Sequence, residues 1–510
     1  MTTPPDLNSL DADQLRQLAA QLLAESAEKE KRLHNQQLLN DKLKHELAIL
    51  KRHHFGESSE ALNTHQASLL DELVGADIAA VEMELAGATE STPQPAKRQP
   101  KRSPLPPELP RQIIEHEPEH TQCDCGCQLQ RIGEDISEKL DYTPGTFTVE
   151  RHVRGKWACK RCESLTQAPI PPQIIDKGIP TSGLLAHLLI AKYADHLPLY
   201  RQERIFTRAG LAISRSTLAE WVGRCGVALQ PLVDALREEL LQHPVLHADE
   251  TPVPMLAPGK KKTHRAYIWA YCSTSAATIK AVVYDFAETR VGANARTFLE
   301  GWQGKLVCDD YSGYKAGFKQ GITEIGCMAH ARRKFYDLHA ANKSQIAEQA
   351  LQLIQQLYDI EREAKGLTVA ARKQLREQRS KPLLDSLYQW LITHRQKVLN
   401  GSATAKAIDY SLKRWQALTR YCGDGGVPID NNHVENQIRP WALGRSNWLF
   451  AGSLRSGQRA AAIMSLIQSA KLNGHDPYAY LKEVMQRLPI HRASAIGELL
   501  PHNWAPAAKV

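Results

Sequence analysis

Residues 245–254 read VLHADETPVP, a short apolar strand that runs to Asp249 and is expected to stop at Thr251-Pro252, since proline cannot donate to a ladder. Two β-rich runs follow, HRAYIWAYCS (264–273) and TIKAVVYDF (278–286), which form a hairpin through Thr274-Ser275-Ala276. NARTFLEGW (294–302) has a helical period. KLVCDD (305–310) is again strand; it ends in Asp309-Asp310 and turns out through Tyr311-Ser312-Gly313-Tyr314. ITEIGCM (322–328) is a fifth strand and AHARRKFYDLHA (329–340) a basic helix.

This element order is that of an RNase H-like core, in which the first strand is central and the fourth pairs beside it. Asp249 and Asp309 would then lie side by side although 309 − 249 = 60 positions separate them. Asp310 could take the place of Asp309, since either can point into the site. A third carboxylate is expected from a helix laid across the sheet. The chain is helical in pattern from Ser344 to Tyr421, breaks at Gly423-Asp424-Gly425-Gly426, and resumes as VPIDNNHVENQIRPWALGRSNWLFAGS (427–453). Asp430 or Asn431 caps that helix, Glu435 is about one turn in, and Arg439 shares its face at i+4. The spacing 435 − 309 = 126 implies a helical insertion over 341–425.

Three converging carboxylates suit phosphodiester chemistry. In-line displacement needs a nucleophile and a stabilised leaving oxygen, and two Mg²⁺ or Mn²⁺ ions held by a few hard oxygens serve both. Asp249 would bridge the ions, with Asp309 and Glu435 each holding one. Any one of these acids alone is an ordinary strand-end or helix-surface residue; it is their joint placement that points to a site.

The whole chain, at 510 residues, is long enough for three to four domains, with 42% apolar and 24% charged residues and a net charge of +8 that leans toward an anionic partner. No run of ~18 apolar residues could span a bilayer. The start, MTTPPDLNSLDADQ, is no secretory signal, so a cytoplasmic location is expected. Five of the ten cysteines fall between Cys123 and Cys162, a clustering that favours a metal over disulfides. Residues 11–52 read as one polar helix whose Leu15, Leu18, Leu22, Leu39, Leu43 and Leu50 share a heptad frame. Such a seam pairs with a second copy or packs on the chain's own body. Residues 87–110 are a Pro-rich linker with basic pairs. Then come SGLLAHLLIAKYADHL (182–197), YRQERIFTRAG (200–210) and SRSTLAEWVGRCG (214–226). The last two resemble a helix-turn-helix. Ser214 would be the N-cap, and Arg215, Ser216 and Thr217 would sit where a recognition helix meets bases, although many helical pairs look alike without touching DNA.

At these residues the sequence resembles transposases of the insertion-sequence sixty-six family. LKHELAILKRHHFGESSE, CGCQL, RGKWACKRC, AKYADHLPLYRQE, HADETPVP, GCMAHARRKF, IDNNHVENQIRPWALGRSNWLFAGS and DPYAYL match its signatures in order. The resemblance implies a catalytic trio of Asp249, Asp309 and Glu435, although Asp310 stands where the family usually has glycine. It also implies a structural Zn²⁺ held by four of Cys123, Cys125, Cys127, Cys159 and Cys162, DNA as partner, and small accessory proteins from the same element. Cys327 and His330 form a C-x-x-H pair of the kind found near related active sites. His330, Arg332, Arg333, Lys334, Arg439 and Arg445 are candidate DNA contacts.

The expected architecture is multidomain α+β: a coiled-coil helix (11–60), a linker (61–112), a zinc-ribbon-like segment (113–175) and a helix-turn-helix-like domain (176–240). The RNase H-like core (241–340 and 426–455), its helical insertion (341–425) and a helical C-terminal segment (456–510) complete it. The expected function is Mg²⁺-dependent strand cleavage and transfer. A nuclease that never joins strands and an inactive DNA-binding regulator are the competing readings.

Overall fold

A computed structural model describes residues 178–257 and 262–506 continuously, most of 105–175, the segment 76–84 and scattered positions between 26 and 47. The described positions between 26 and 47 are helical. Of the heptad seam, Leu39 is exposed and Leu43 buried. Leu15, Leu18, Leu22 and Leu50, like most of the 61–112 linker and Cys123, Cys125 and Cys127, lie outside the described residues.

A first sheet is built from β1 (Arg111–His116), β2 (Gln130–Thr143), β3 (Thr146–Ala158) and β4 (Leu165–Gln167). β2 and β3 pair antiparallel, β1 runs parallel to β3, and β4 pairs with the end of β3. The Cys159–Cys162 turn sits between β3 and β4.

Three helices follow: α1 (Ser182–Tyr193), α2 (Leu199–Arg208) and α3 (Arg215–Leu240). Thr181 caps α1 by accepting from the Leu184 N–H at 3.3 Å, and Ser214 caps α3 by accepting from the Thr217 N–H at 3.2 Å. Each cap contributes about 1 kcal/mol. Because α1 is apolar all round, it is a core helix. Beyond its first turn α3 also turns inward, and Leu218, Trp221, Val222, Cys225 and Leu229 join one hydrophobic core with the second sheet.

That second sheet holds β5 (Val245–Met255), β6 (His264–Ser273), β7 (Val282–Ala287), β8 (Lys305–Cys308) and β9 (Thr323–Gly326), with α4 (Gly292–Phe298) crossing from β7 to β8. The order is β7-β6-β5-β8-β9. The β7-β6-β5 pairings are antiparallel, and β5-β8 and β8-β9 are parallel. Contrary to the sequence expectation, β5 does not stop at Pro252 but pairs with β6 as far as Met255. The reason is that β8 ends early: Pro252 and Pro254 turn their backbone toward the side that β8 has vacated, where no ladder N–H is needed. There Pro252 O accepts from the Arg445 side chain and Pro254 O from the Ala451 N–H.

The period-2 alternation of the central strands feeds two cores. Leu246, Ala248, Leu306 and Cys308 belong to the large core that also takes in residues of α1, α3 and α12 (Leu454–Leu472); Val245, Val307 and Ile325 belong to a second cluster. That second cluster is completed by α5 (Met328–Asn342) and by an all-helical stretch. Its members are α6 (Gln345–Glu363), α7 (Val369–Leu375), α8 (Lys381–Lys397), α9 (Ala403–Lys413) and α10 (Trp415–Thr419). The chain then returns to the sheet as α11 (Asn432–Trp448). At the outer edge, Ser469 and Ser465 of α12 accept the Val282 and Tyr284 N–H groups of β7 at 3.0 and 2.9 Å, which closes an edge otherwise open to pairing.

Candidate active site

β5 and β8 set the site. Their parallel register pairs Val245 with Lys305 and His247 with Val307, an offset of 60, and the same offset carried two residues further puts Asp309 level with Asp249. Adjacent strands lie about 4.8 Å apart. By alternation, Asp249 projects on the Val245 and His247 side of the sheet, and Glu250 on the other.

The two neighbours therefore live differently. Glu250 has its counter-charge: its carboxylate accepts from Arg290 Nε at 2.8 Å and from the Tyr314 hydroxyl at 2.8 Å. Asp249 accepts from the Glu250 N–H at 2.8 Å. Burial first, then the charges of Glu250, Asp309 and Glu435, push its carboxyl up to about 8. Asp309 accepts from the Tyr311 N–H at 2.9 Å. Asp310 turns away, and its carboxylate pairs with Arg414 of the helical stretch at 2.9 Å.

Glu435 arrives on the first turn of α11, and Asn431 fixes that turn. Fully buried, Asn431 accepts at its Oδ1 from His247 Nδ1–H at 2.8 Å, donates from its amide nitrogen to Ala248 O at 2.9 Å, and gives its own backbone N–H to Cys327 Sγ at 3.2 Å. The sequence offered Asp430 or Asn431 as the helix cap: Asn431 holds the N-cap position but spends its side chain across the helix start and β5, while the Asp430 carboxylate accepts from the Asn432 N–H at 3.1 Å. Burial pushes His247 down to about 3, so the ring that meets Asn431 is neutral. Behind this turn the segment 421–427 is held by Arg376, whose guanidinium is 1% exposed. It donates to Tyr421 O, Asp424 O and Val427 O at 2.8–2.9 Å and pairs with Glu361.

The candidate contacts divide. His330, at the start of α5, brings Nδ1 to 3.8 Å from Glu435, and Arg333 lies 4.0 Å from the same carboxylate. Arg333, Lys334 and Arg439 are exposed, while Arg332 is half-buried. Arg445 points inward to Pro252 O at 3.0 Å, and Arg215 pairs with Glu203 of α2. Ser216 is exposed and Thr217 half-buried at the tip of α3. Cys159 and Cys162 flank a tight turn closed by Cys159 N–H to Ser164 O at 3.0 Å and Glu163 N–H to Cys159 O at 2.9 Å. Asn431, Arg290, Tyr314 and Arg376 were not singled out as site-shaping residues from sequence. The partners of Asn431 lie 104 to 184 positions earlier, and no local pattern announces them. Among the described residues no helix is long and apolar enough to cross a membrane.

Comparison with known proteins bears on all of these segments. Residues 177–459 match the family model described as Transposase IS66 family, and residues 465–502 match the IS66 C-terminal element. Residues 120–163, which span both cysteine groups, match the zinc-finger binding domain of transposase IS66. Residues 42–114 match the model described as Transposase C of IS166 homeodomain. Two Sinorhizobium fredii proteins align along nearly their whole length. Uncharacterized protein y4qI is 38% identical over 480 residues, covering 91% of this chain and 88% of its own. Uncharacterized protein y4jD is 36% identical over 483 residues, covering 91% and 94%.

Proposed function

The chain belongs to the IS66 transposase family, and from that premise we propose that it binds the ends of a mobile DNA element and cuts and rejoins strands with Asp249, Asp309 and Glu435. The observation that carries this is the state of Asp249. A carboxyl raised to about 8 chiefly by burial, then by the charge of Glu250 and after it by those of Asp309 and Glu435, lacks the positive charge that Glu250 has in Arg290. A divalent cation answers that lack, and hard carboxylate oxygens are the donor set that Mg²⁺ or Mn²⁺ prefers. The strand order supports an RNase H-like core, with residues 341–425 inserted before the helix of Glu435.

Asp249, Asp309 and Glu435 would hold two Mg²⁺ or Mn²⁺ ions, which when bound supply charge for both the attacking and the leaving oxygen. The protein's own part is positioning. Asn431 sets the height of Glu435 above β5, and Tyr311 N–H orients Asp309. Arg332, Arg333, Lys334 and Arg439, with His330, line the approach and take DNA phosphates. Asp310 is the acid held apart, by Arg414. The tip of α3, with Arg215, Ser216 and Thr217, is a candidate base-contacting surface, and Arg445 serves to fasten α11 rather than to touch DNA.

Cys159 and Cys162 form one half of a structural Zn²⁺ site, which the zinc-finger match supports; two of Cys123, Cys125 and Cys127 supply the other half. The N-terminal helix pairs two copies of the chain, and small accessory proteins of the element complete the assembly. The test uses a labelled duplex bearing the element's own end, with Mg²⁺, accessory proteins and a target duplex. Cut and joined product is the expected result. Cutting without joining supports a nuclease, and binding without cutting supports an inactive regulator.

A further inference from the structure

A second donor set of different chemistry lies against the carboxylate trio and shares one member with it. We propose that Cys327, His330 and Glu435 bind a thiophilic divalent ion of the Zn²⁺ class, and that its occupancy draws Glu435 away from Asp249 and Asp309. The inhibitory half of this proposal rests on the role of Glu435 given above; the binding half does not.

One ligand atom from each of the three residues lies within 4.8 Å of the other two, and His330 Nδ1 is 3.8 Å from Glu435 Oε1. Tetrahedral zinc, with bonds of about 2.0–2.3 Å, separates its ligand atoms by about 3.3–3.6 Å. Closing the set takes roughly an ångström, within reach of rotation at Glu435 or His330. The sulfur is held in place: Cys327 precedes α5 and is fully buried, and its Sγ accepts from the backbone N–H groups of Asn431 and His330. Burial pushes the Cys327 thiol up and these two donors only partly offset it, so the thiol proton leaves to solvent as the ion binds and not before. His330 Nδ1 is buried without a hydrogen-bond partner, so a ring nitrogen stands ready toward the same point. Sulfur and imidazole discriminate against Mg²⁺ and in favour of zinc-like ions, so the two sites compete for Glu435 and not for the same metal.

The test counts zinc bound to the full chain after dialysis against a fixed zinc concentration, without DNA or Mg²⁺. The Cys123–Cys162 region contributes equally in all variants. Wild type is expected to hold one equivalent more than Cys327→Ser or His330→Gln. His330→Gln leaves the buried sulfur in place, and its melt in chelator checks the fold. Equal counts in wild type and in a folded His330→Gln overturn the site. In the second arm, zinc is titrated against Mg²⁺-dependent cleavage, each variant normalised to its own uninhibited rate. His330→Gln is expected to need at least ~100-fold more zinc for half inhibition; an unchanged requirement overturns the competition for Glu435. A chain that binds the extra ion but never cuts DNA refutes the cleavage reading and leaves this site standing.

Discussion

Replacing Asp249 by asparagine should make the metal-free protein more stable, and increasingly so as pH rises. The carboxyl sits at about 8 against an ordinary 3.8, chiefly because burial penalises its charged form. Folding therefore takes up a proton between those two values, and stability falls with pH across that window. Four units at about 1.4 kcal/mol each put the full penalty at up to about 5–6 kcal/mol above pH 8. At pH 5.5 only about 2 kcal/mol of it is present. Asparagine keeps an oxygen to accept from the Glu250 N–H at 2.8 Å and has no charge to desolvate. Denaturant titrations of wild type and Asp249→Asn in chelator should diverge by about 3 kcal/mol between pH 5.5 and 8.5. Adding Mg²⁺ at pH 8 should stabilise wild type and leave the variant unmoved. A constant difference across this pH range would refute the reasoning, because the carboxyl would then be ionised as easily as in water.

Three further outcomes follow from the same geometry. Asn431→Ala leaves His247 Nδ1 and Ala248 O without their partner, so a loss of about 2–4 kcal/mol is expected along with most of the cleavage activity; an unchanged unfolding midpoint would contradict it. Asp310→Asn removes the charge that pairs with Arg414 at 2.9 Å and with Lys315 at 4.0 Å, and should keep cleavage within a few-fold while costing about 1 kcal/mol. Loss of cleavage with Asp309→Asn still active would exchange their roles. Arg376→Met strands Glu361 and three carbonyls, so about 3–5 kcal/mol is lost; the Arg376→Met, Glu361→Met pair should recover much of this in the same titration.

The core was readable where local pattern and topology coincide. Asp249 and Asp309 end two apolar runs, and the 60-residue spacing equals the observed register offset of β5 and β8. The helix of Glu435 was marked by the break at 423–426 and the polar cap before it. What sequence could not resolve depends on distant partners. Asp309 and Asp310 are chemically identical neighbours, and what separates them is Arg414, at the junction of α9 and α10, about a hundred positions further along the chain. The extent of β5 was underestimated because Pro252 forbids a ladder bond only on the side where a neighbour needs one. The helices over 182–240, within the expected helix-turn-helix-like domain of 176–240, put apolar residues into one core with the second sheet, a packing that depends on partners far along the chain. Arg445 sits where a DNA contact would suit, but a carbonyl of β5 claims it.

The central claim is that three acids from β5, the end of β8 and α11 act as one unit. It is tested most directly by giving the protein a labelled element-end duplex with Mg²⁺ and accessory proteins, in wild type and in Asp249→Asn, Asp309→Asn and Glu435→Gln. Wild type should cut and join, while each variant binds the duplex as tightly and does neither. Any one of the three variants that still cuts and joins at the wild-type rate would contradict the account.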